Sequence, residues 1–197
     1  MRSPDERLNA LRAARCESVV VVATGARPYR PALELMGSPT IVDAWDVIAA
    51  VLLPRGRVVV VDWRGDWTGI GVARMVRARG HEVILCVHGY GASEALQQYV
   101  RDAHLVALER EGIQVRPLLR PFGADDDTVY LQHVLTEEPV MIHDVAAVVL
   151  ACGHESETEL LRELRQSELE VHAVGDCLAA RTLEEAVLEG LRVASAL

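Results

Sequence analysis

Three short stretches of this 197-residue chain place glycine beside small or polar residues, directly after hydrophobic runs. The stretches are Ala23-Thr24-Gly25, Ala151-Cys152-Gly153 and Gly175-Asp176-Cys177. The valine-rich runs before them predict buried strands of a parallel sheet, and ligands bind at the carboxyl ends of such strands. Glycine lets the backbone approach a ligand, and an aspartate accepts hydrogen bonds from sugar or ribityl hydroxyls. One glycine after a strand is more often a plain turn, but the three turns together predict a nucleotide-binding site.

Six residues at or beside the first and last of these turns are the candidate cofactor-binding residues. They are Thr24, Gly25, Arg27, Gly175, Asp176 and Cys177. Arg27 directly follows the first glycine turn and offers a guanidinium to a phosphate. Arg181, near the start of the last predicted helix, could serve a flavin phosphate or the carboxylate of a partner. The predicted helix also presents free N–H groups and the positive end of its dipole.

The sequence indicates neither a catalytic residue nor a metal site. The seven histidines are dispersed, and no two have helical ligand spacing. The cysteines Cys16, Cys86, Cys152 and Cys177 form no CxxC pair, which disfavours zinc knuckles and iron–sulfur loops. We expect them to be free, largely buried thiols. No Ser/His/Asp or Cys/His arrangement can be argued.

Strands and helices alternate along most of the chain. Strands are predicted at Ser18–Val22, Arg57–Val61, His81–Val87, Ile113–Leu119, Ala146–Leu150 and Glu170–Val174. Helices are predicted at Ala44–Leu52, Gly69–Arg79, Glu94–Gly112, Glu157–Gln166 and Thr182–Ala196. The helix at Gly69–Arg79 lies between two strands and makes a βαβ unit, so the sheet is predicted to be parallel.

Two segments depart from this alternation. Thr128–Val134 and Val140–Val145 have alternating patterns that predict a small antiparallel meander. Arg27–Pro31 is rich in proline and is predicted to be irregular. The predicted fold class is α/β, with Rossmann-like, three-layer nucleotide-binding folds.

The composition excludes several classes of protein. The chain has 20 Lys+Arg and 29 Asp+Glu, a formal net charge of −9, and half of it is hydrophobic, which is typical of one or two small globular domains. No apolar run reaches the roughly 18 residues of a transmembrane helix, and the charged N-terminus lacks the apolar region of a signal peptide. An acidic chain with scattered arginines is a poor nucleic-acid binder. We therefore expect a cytoplasmic protein that binds neither membrane nor nucleic acid.

Three motifs resemble those of the trimethylamine dehydrogenase-like family, which belongs to the Old Yellow Enzyme-related flavoproteins with two dinucleotide-binding domains. The family's V-x-A-T-G-A-x-P stretch is matched by residues 21–28, its segment T/D-A-W-D-V by Asp43-Ala44-Trp45-Asp46-Val47, and its G-D-C/A turn by Gly175-Asp176-Cys177. The resemblance covers nearly all of residues 18–197. It implies a partial FAD- or ADP-type domain at residues 18–42 and 145–197, an inserted NAD(P)-domain-like unit at residues 43–144, and an N-terminal arm at residues 1–17.

Several parts of that family have no counterpart in this sequence. No G-x-G-x-x-G loop, which grips the pyrophosphate in the family, precedes Val19, and the flavin barrel and the clustered cysteines of the iron–sulfur centre are absent. The resemblance therefore implies that a partner polypeptide carries the missing G-x-G-x-x-G half-domain together with a flavin barrel. An electron-transferring flavoprotein is a further expected partner. Whether the chain is a natural subunit or a fragment is left open, although Met1 and the polar arm favour a subunit.

The inserted unit lacks the chemistry of a nicotinamide site. The loop after its first strand reads Asp62-Trp63-Arg64-Gly65-Asp66-Trp67. A working fingerprint needs glycine immediately after the strand, whereas Gly69 and Gly71 come too late. Asp62 and Asp66 place negative charge where a diphosphate would bind. We therefore do not expect NAD(P) to bind here.

Two functions of different classes remain. The first is a non-catalytic subunit, or C-terminal half, of a flavin-dependent amine dehydrogenase- or demethylase-type oxidoreductase, in which FAD or ADP is shared with the partner chain. The second is a scaffold or interaction subunit that kept the fold and lost the cofactor. Under either hypothesis the chain is a component of a complex rather than an enzyme alone, because an uncovered parallel sheet exposes apolar surface that a partner must bury.

Overall fold

The computed structural model describes residues 19–197, so the predicted arm at residues 1–17 and Cys16 lie outside the described residues. The described chain divides into two compact units. The larger unit comprises residues 28–153, and the smaller unit comprises, among the described residues, 19–27 and 154–197.

The centre of the larger unit is a parallel sheet of five strands in the order β4-β11-β5-β6-β7. Its strands are β4 (Ile41–Asp43), β5 (Arg57–Asp62), β6 (Glu82–Val87), β7 (Gln114–Arg116) and β11 (Val145–Ala151). The helices of this unit are α1 (Ala44–Ile48), α2 (Trp67–Ala78) and α3 (Gln98–Glu111). The predicted βαβ unit is formed by β5, α2 and β6. Its two strands, β5 and β6, are parallel neighbours that pair from Arg57 opposite Glu82 to Asp62 opposite Val87.

A second sheet of four strands has the order β10-β9-β8-β3. Its strands are β3 (Glu34–Leu35), β8 (Leu119–Ala124), β9 (Val129–His133) and β10 (Pro139–Ile142). The β8–β9 and β9–β10 pairs are antiparallel, whereas β3 runs parallel to β8. The antiparallel meander expected from the alternating sequence pattern is therefore present, with β3 added at one edge.

The four consecutive valines of β5 show how the layers of the larger unit are stacked. Alternate residues of a strand face opposite sides of the sheet. Val58 and Val60 pack with the helices in one cluster, and Val59 and Val61 pack with the meander in another. All four are 0% exposed, so both faces of the parallel sheet are covered. The larger unit is thus a three-layer mixed α/β structure.

The smaller unit is built on two pairs of strands. β1 (Val19–Val22) runs parallel to β13 (Glu170–Ala173), and β2 (Ala26–Pro28) pairs with β12 (His154–Ser156). Its helices are α4 (Glu159–Leu164) and α5 (Leu183–Ala196), and a 3₁₀ turn covers Gly175–Cys177. Its buried core consists of Val22, Leu161, Leu164 and Cys177.

The structure differs from the predicted boundaries of the inserted unit, 43 and 144. Residues 28–42 and 145–153 belong to the larger unit, because β3 pairs with β8 and β11 pairs with both β4 and β5. The predicted irregular loop at Arg27–Pro31 is also partly wrong, because β2 extends to Pro28. The predicted strand Ile113–Leu119 is two strands. The chain turns between them at Leu118, whose φ is +57°.

None of the helices described in residues 19–197 combines the length and apolar content that crossing a bilayer requires.

Candidate functional site

A cleft of about 430 Å³ lies at the carboxyl ends of β1 and β13 in the smaller unit. It is lined by Ala23, Gly25, Val174, Gly175, Asp176, Arg181, Thr182, Leu183 and Ala186. Its size falls in the range of small-molecule sites. Because β1 and β13 are parallel neighbours, their ends meet at one edge of the sheet, which brings together the first and third of the predicted turns.

Gly25 supplies an open backbone surface to this cleft. Its φ is +80°, a conformation that favours glycine, and a Cβ built there would meet no atom within 4 Å. The turn is tied to the chain before α4, because the amide of Glu157 donates to the Gly25 carbonyl at 3.0 Å and Thr24 Oγ1 donates to the Glu157 carbonyl at 2.7 Å. Thr24 thus stabilises the turn, and it is not among the cleft-lining residues.

Gly175 and Asp176 form the opposite wall, and a residue of α5 accepts the backbone donor there. Gly175 has a φ of +69°, and its amide donates to Glu189 Oε2 at 2.7 Å. The other oxygen of Glu189 pairs with the Arg181 guanidinium. The amide of Arg181 in turn donates to Asp176 Oδ1 at 3.2 Å. A carboxylate of the chain itself therefore satisfies an N–H group and a cation that an anionic ligand would use.

Two further predicted site residues, besides Thr24, are not among those that line the cleft. Cys177 is 1% exposed, and its thiol lies 3.0 Å from the Val22 carbonyl and 3.3 Å from that of Val174, so it is a core residue of the smaller unit. Arg27 pairs with Glu155 at 3.0 Å, and both side chains are about half exposed or more. Of the six candidates, Gly25, Gly175 and Asp176 line the cleft, and Thr24, Arg27 and Cys177 do not.

The contribution of Glu189 was missed by sequence reasoning. It is fourteen residues beyond Gly175 and sits inside an amphipathic helix, where a glutamate is ordinary. Only the packing of α5 against the 3₁₀ turn reveals its role. Arg181 was singled out for a phosphate or a carboxylate, and the structure gives it the carboxylate of Glu189.

The turn at Ala151-Cys152-Gly153 lies in the larger unit, at the end of β11. Burial raises the pKa of the Cys152 thiol to about 12, with the nearby carboxylates of Asp62 and Asp43 adding to the rise. The thiol therefore stays protonated at neutral pH and is a poor nucleophile. Cys86, on β6, is likewise buried, and its pKa is also raised to about 12 by burial.

Carboxylates also occupy the loop that follows β5. Asp62 is 1% exposed, and its Oδ1 accepts the amides of Arg64 and Gly65, both at 2.9 Å. Asp66 caps α2 by accepting the amide of Thr68 at 2.8 Å. The Asp62 carboxyl lies directly against Gly69, where a Cβ would collide with it. Three backbone donors at the start of α2 are thus already engaged.

The second oxygen of Asp62 is an unusual feature of this loop. Within residues 19–197, Asp62 Oδ2 and Trp63 Nε1 are buried and have no hydrogen-bond partner. Burial raises the pKa of Asp62 to about 6, although the amides of Gly65 and Arg64 oppose the rise. The indole of Trp63 contacts the rings of Tyr29 and His88, with centroids 6.0 and 5.9 Å apart, and so aromatic bulk fills the space beside the loop.

Metal ligands are not gathered at either location. Within the described part of the chain, no group of three or more His, Cys, Asp or Glu side chains is placed to hold a metal ion.

The sequence matches the pyridine nucleotide-disulphide oxidoreductase family over residues 12–189. Bilirubin reductase from Mediterraneibacter gnavus (strain CC55_001C) is 27% identical over 179 residues, which are 90% of this chain and 27% of that protein. Histamine dehydrogenase from Rhizobium sp. 4-9 is structurally similar with a TM-score of 0.80 at 22% identity, over 89% of this chain and 30% of that one. 6-Hydroxypseudooxynicotine amine oxidase from Pseudomonas geniculata N1 is structurally similar with a TM-score of 0.72 at 21% identity, over 87% of this chain and 28% of that one.

The two structural similarities establish the fold, and this chain spans less than a third of the length of each of the three relatives. The family match, in contrast, extends over most of the chain. The chain therefore belongs to the pyridine nucleotide-disulphide oxidoreductase family of flavin-dependent oxidoreductases.

Proposed function

We propose that the chain is a non-catalytic subunit, or C-terminal half, of a flavin-dependent amine dehydrogenase- or demethylase-type oxidoreductase of the trimethylamine dehydrogenase-like group. In this proposal its smaller unit completes an FAD- or ADP-binding domain together with a partner polypeptide. The observation that carries the proposal is the cleft of Gly25, Gly175 and Asp176 at the ends of two parallel strands. The likeness to histamine dehydrogenase and to an amine oxidase supports the choice of subgroup.

The open edges of the small sheet support the role of a partner. Among the described residues, β1 and β13 pair only with each other, and a two-stranded sheet is marginal by itself. Val19 and Val21 on β1 are 36% and 45% exposed. A partner strand added beside β1 would satisfy the free edge, and a partner element packed on this face of the sheet would cover the two side chains.

Helix α5 presents a second uncovered surface. It has no buried residue, and Leu183, Val187 and Leu191 are 79%, 61% and 62% exposed. Their spacing of four residues places all three on one face of the helix. An apolar stripe of this kind is normally buried against another element, which the proposal assigns to the partner polypeptide.

The cleft residues fit the anionic, hydroxyl-rich character of a flavin or adenine nucleotide. Asp176 would accept hydrogen bonds from sugar or ribityl hydroxyls, since only its Oδ1 has a hydrogen-bond partner within residues 19–197. Arg181 and the Gly175 amide would hold a phosphate once Glu189 moves aside, and Gly25 would let the ligand approach the backbone. A bound flavin would supply the two-electron redox chemistry, and this chain would supply binding and orientation.

The proposal does not include a nicotinamide nucleotide in the larger unit. A diphosphate at the start of α2 would need the backbone donors that Asp62 and Asp66 already accept. It would also meet the negative charge of two carboxylates.

A second candidate is the scaffold subunit that has lost the cofactor. Glu189 favours it, because this carboxylate satisfies both Arg181 and the Gly175 amide without any ligand. In that case the apolar face of α5 would still bind a partner, but the assembled complex would hold no nucleotide.

Nucleotide content of the assembled complex distinguishes the two candidates. The full chain would be co-expressed with the neighbouring open reading frames, and flavin and ADP would be quantified by absorbance and mass spectrometry after denaturation. We expect stoichiometric nucleotide in the wild-type complex. Asp176→Asn should lower the nucleotide content roughly tenfold, because it removes the negative charge of the group that would accept hydrogen bonds from the sugar or ribityl hydroxyls. Asp102→Asn, an exposed residue of α3 in the larger unit, is the matched control and should retain full content. A stable complex free of nucleotide would refute the cofactor-sharing proposal and favour the scaffold.

A further inference from the structure

The meander of the larger unit carries a separate cleft of about 320 Å³. Two aromatic rings, Phe122 and Tyr130, and two thioethers, Met36 and Met141, contribute to its lining. Phe122, Met36 and Met141 are each more than half exposed. Solvent-facing aromatic and methionine side chains gathered around one cavity are typical of a ligand site rather than of a plain sheet surface.

The strand register places four of the lining residues in one row. Glu34, Gly123, Tyr130 and Met141 face one another in a single row across the four strands. Gly123 contributes no side chain to that row, and a Cβ at this position would collide with the carbonyl of Glu34. The pairing of β8 and β9 shifts register between Pro121 and Gly123, so Phe122 lies at a bulge. Gly123 therefore lets the backbone of Glu34 lie close against β8, and the exposed ring of Phe122 lines the cleft beside this row.

The polar groups in the lining are anionic or already engaged. Gln132 is fixed, because its Oε1 accepts Arg120 Nη2 at 2.6 Å and its Nε2 donates to the Glu137 carbonyl at 3.0 Å. The hydroxyl of Tyr130 donates to Asp125 Oδ2 at 2.6 Å, which holds the ring in place. The remaining polar groups are two carboxylates, those of Glu34 and Glu137.

Those two carboxylates give the cleft its charge. Within residues 19–197, neither Glu34 nor Glu137 has an ion pair or a side-chain hydrogen bond from its carboxylate, and the lining contains no arginine or histidine. The hydrogen bond from Tyr130 lowers the pKa of Asp125, which keeps a third negative charge behind the ring. Three carboxylates therefore lie in or behind the cleft, against the guanidinium of Arg120 that Gln132 binds, in a chain whose net charge is −9.

We propose that this cleft binds a small organic cation with an apolar body, of the alkyl- or arylalkylammonium class. Aromatic faces attract a cation through their quadrupoles, and methionine sulfur adds a polarisable contact. The carboxylates of Glu34 and Glu137 select positive charge, and the apolar walls select the body that carries it. An anion of the same shape is repelled, and a neutral molecule gains only the apolar contacts.

Isothermal titration with three probes of similar size tests this selectivity on the full chain. The probes are benzyltrimethylammonium, benzyl alcohol and phenylacetate. We expect saturable binding of the cation at least about tenfold tighter than that of the alcohol, no binding of phenylacetate, and weaker cation binding at high salt. Equal affinity for the cation and the alcohol, or no binding of the cation, would overturn the proposal.

Substitutions in the lining locate the site. Glu34→Gln removes a charge without changing shape, and Phe122→Leu keeps apolar surface but removes the ring. Each is expected to weaken benzyltrimethylammonium binding roughly fivefold. Glu168→Gln, an exposed carboxylate of the smaller unit, is the matched control and should bind as the wild type does. Circular dichroism checks that the variants are folded. If folded Glu34→Gln and Phe122→Leu bind the cation with unchanged affinity, the cation site is not at this cleft.

Discussion

At the scale of single residues, carboxylates of the chain accept backbone donors that an anionic ligand would otherwise use. Asp62 accepts two amides in the loop after β5, and Glu189 accepts the Gly175 amide beside the smaller unit's cleft. The two carboxylates differ in what a ligand can do to them. The Glu189 side chain is 14% exposed on a helix that has no buried residue, whereas Asp62 is 1% exposed and lies directly against Gly69.

Asp62 makes the stability of the protein depend on pH in a specific window. Its pKa is about 6 in the folded chain, mainly through burial, and about 3.9 when unfolded. The folded state therefore binds more protons between these values, and the free energy of unfolding falls as the pH rises from about 4 to 6. The shift corresponds to a destabilisation of roughly 3 kcal/mol at neutral pH.

Asp62→Asn should remove this contribution. Because asparagine is neutral and keeps one acceptor for the two amides, we expect a gain of roughly 1 to 3 kcal/mol at neutral pH and almost none at pH 4. Urea unfolding at both pH values measures the difference, which isolates Asp62 from other titrating groups. Asp102→Asn is the control. A gain that is equal at both pH values would contradict the assigned pKa.

At the scale of elements, hydrophobic runs predicted the strands well and their ends less well. The valine run of β5 and the apolar run of β6 are unambiguous because both faces of those strands are buried. Short edge strands carry no such pattern. β3 has only two residues, both exposed, and β12 has none that is fully buried. Their strand conformation depends on partners that are distant in sequence, so no local signal could reveal them.

Helix α2 offers a test of the local stabilisation at the strand-end loop. Asp66 caps the helix by accepting the Thr68 amide at 2.8 Å and also pairs with Arg64 at 2.8 Å. Asp66→Ala should cost about 1 kcal/mol of unfolding free energy, since the helix loses its cap. Asp66→Asn keeps a capping oxygen and should cost only about 0.3 kcal/mol of unfolding free energy. Chemical denaturation measures both, and equal losses in the two variants would show that the charge, not the cap, matters.

At the scale of the whole molecule, the sequence predicted a Rossmann-like α/β fold of an oxidoreductase, in agreement with the family match, but not the extent of each unit. Gly25 and the turn at Gly175-Asp176 line one cleft, because the ends of neighbouring parallel strands share an edge of the sheet. The family resemblance implied that residues 145–153 belong to the flavin-type domain. The position of β11 between β4 and β5 could not be predicted, since a sequence pattern does not state which sheet a buried strand joins.

Native mass spectrometry of the assembly purified under non-denaturing conditions tests the central claim, that a second polypeptide completes the smaller unit around a nucleotide. We expect a species whose mass exceeds that of the 21.6 kDa chain by one partner polypeptide, and which releases FAD or ADP on activation. A stable, folded species with the mass of this chain alone, unchanged after co-expression with the neighbouring open reading frames, would contradict the account.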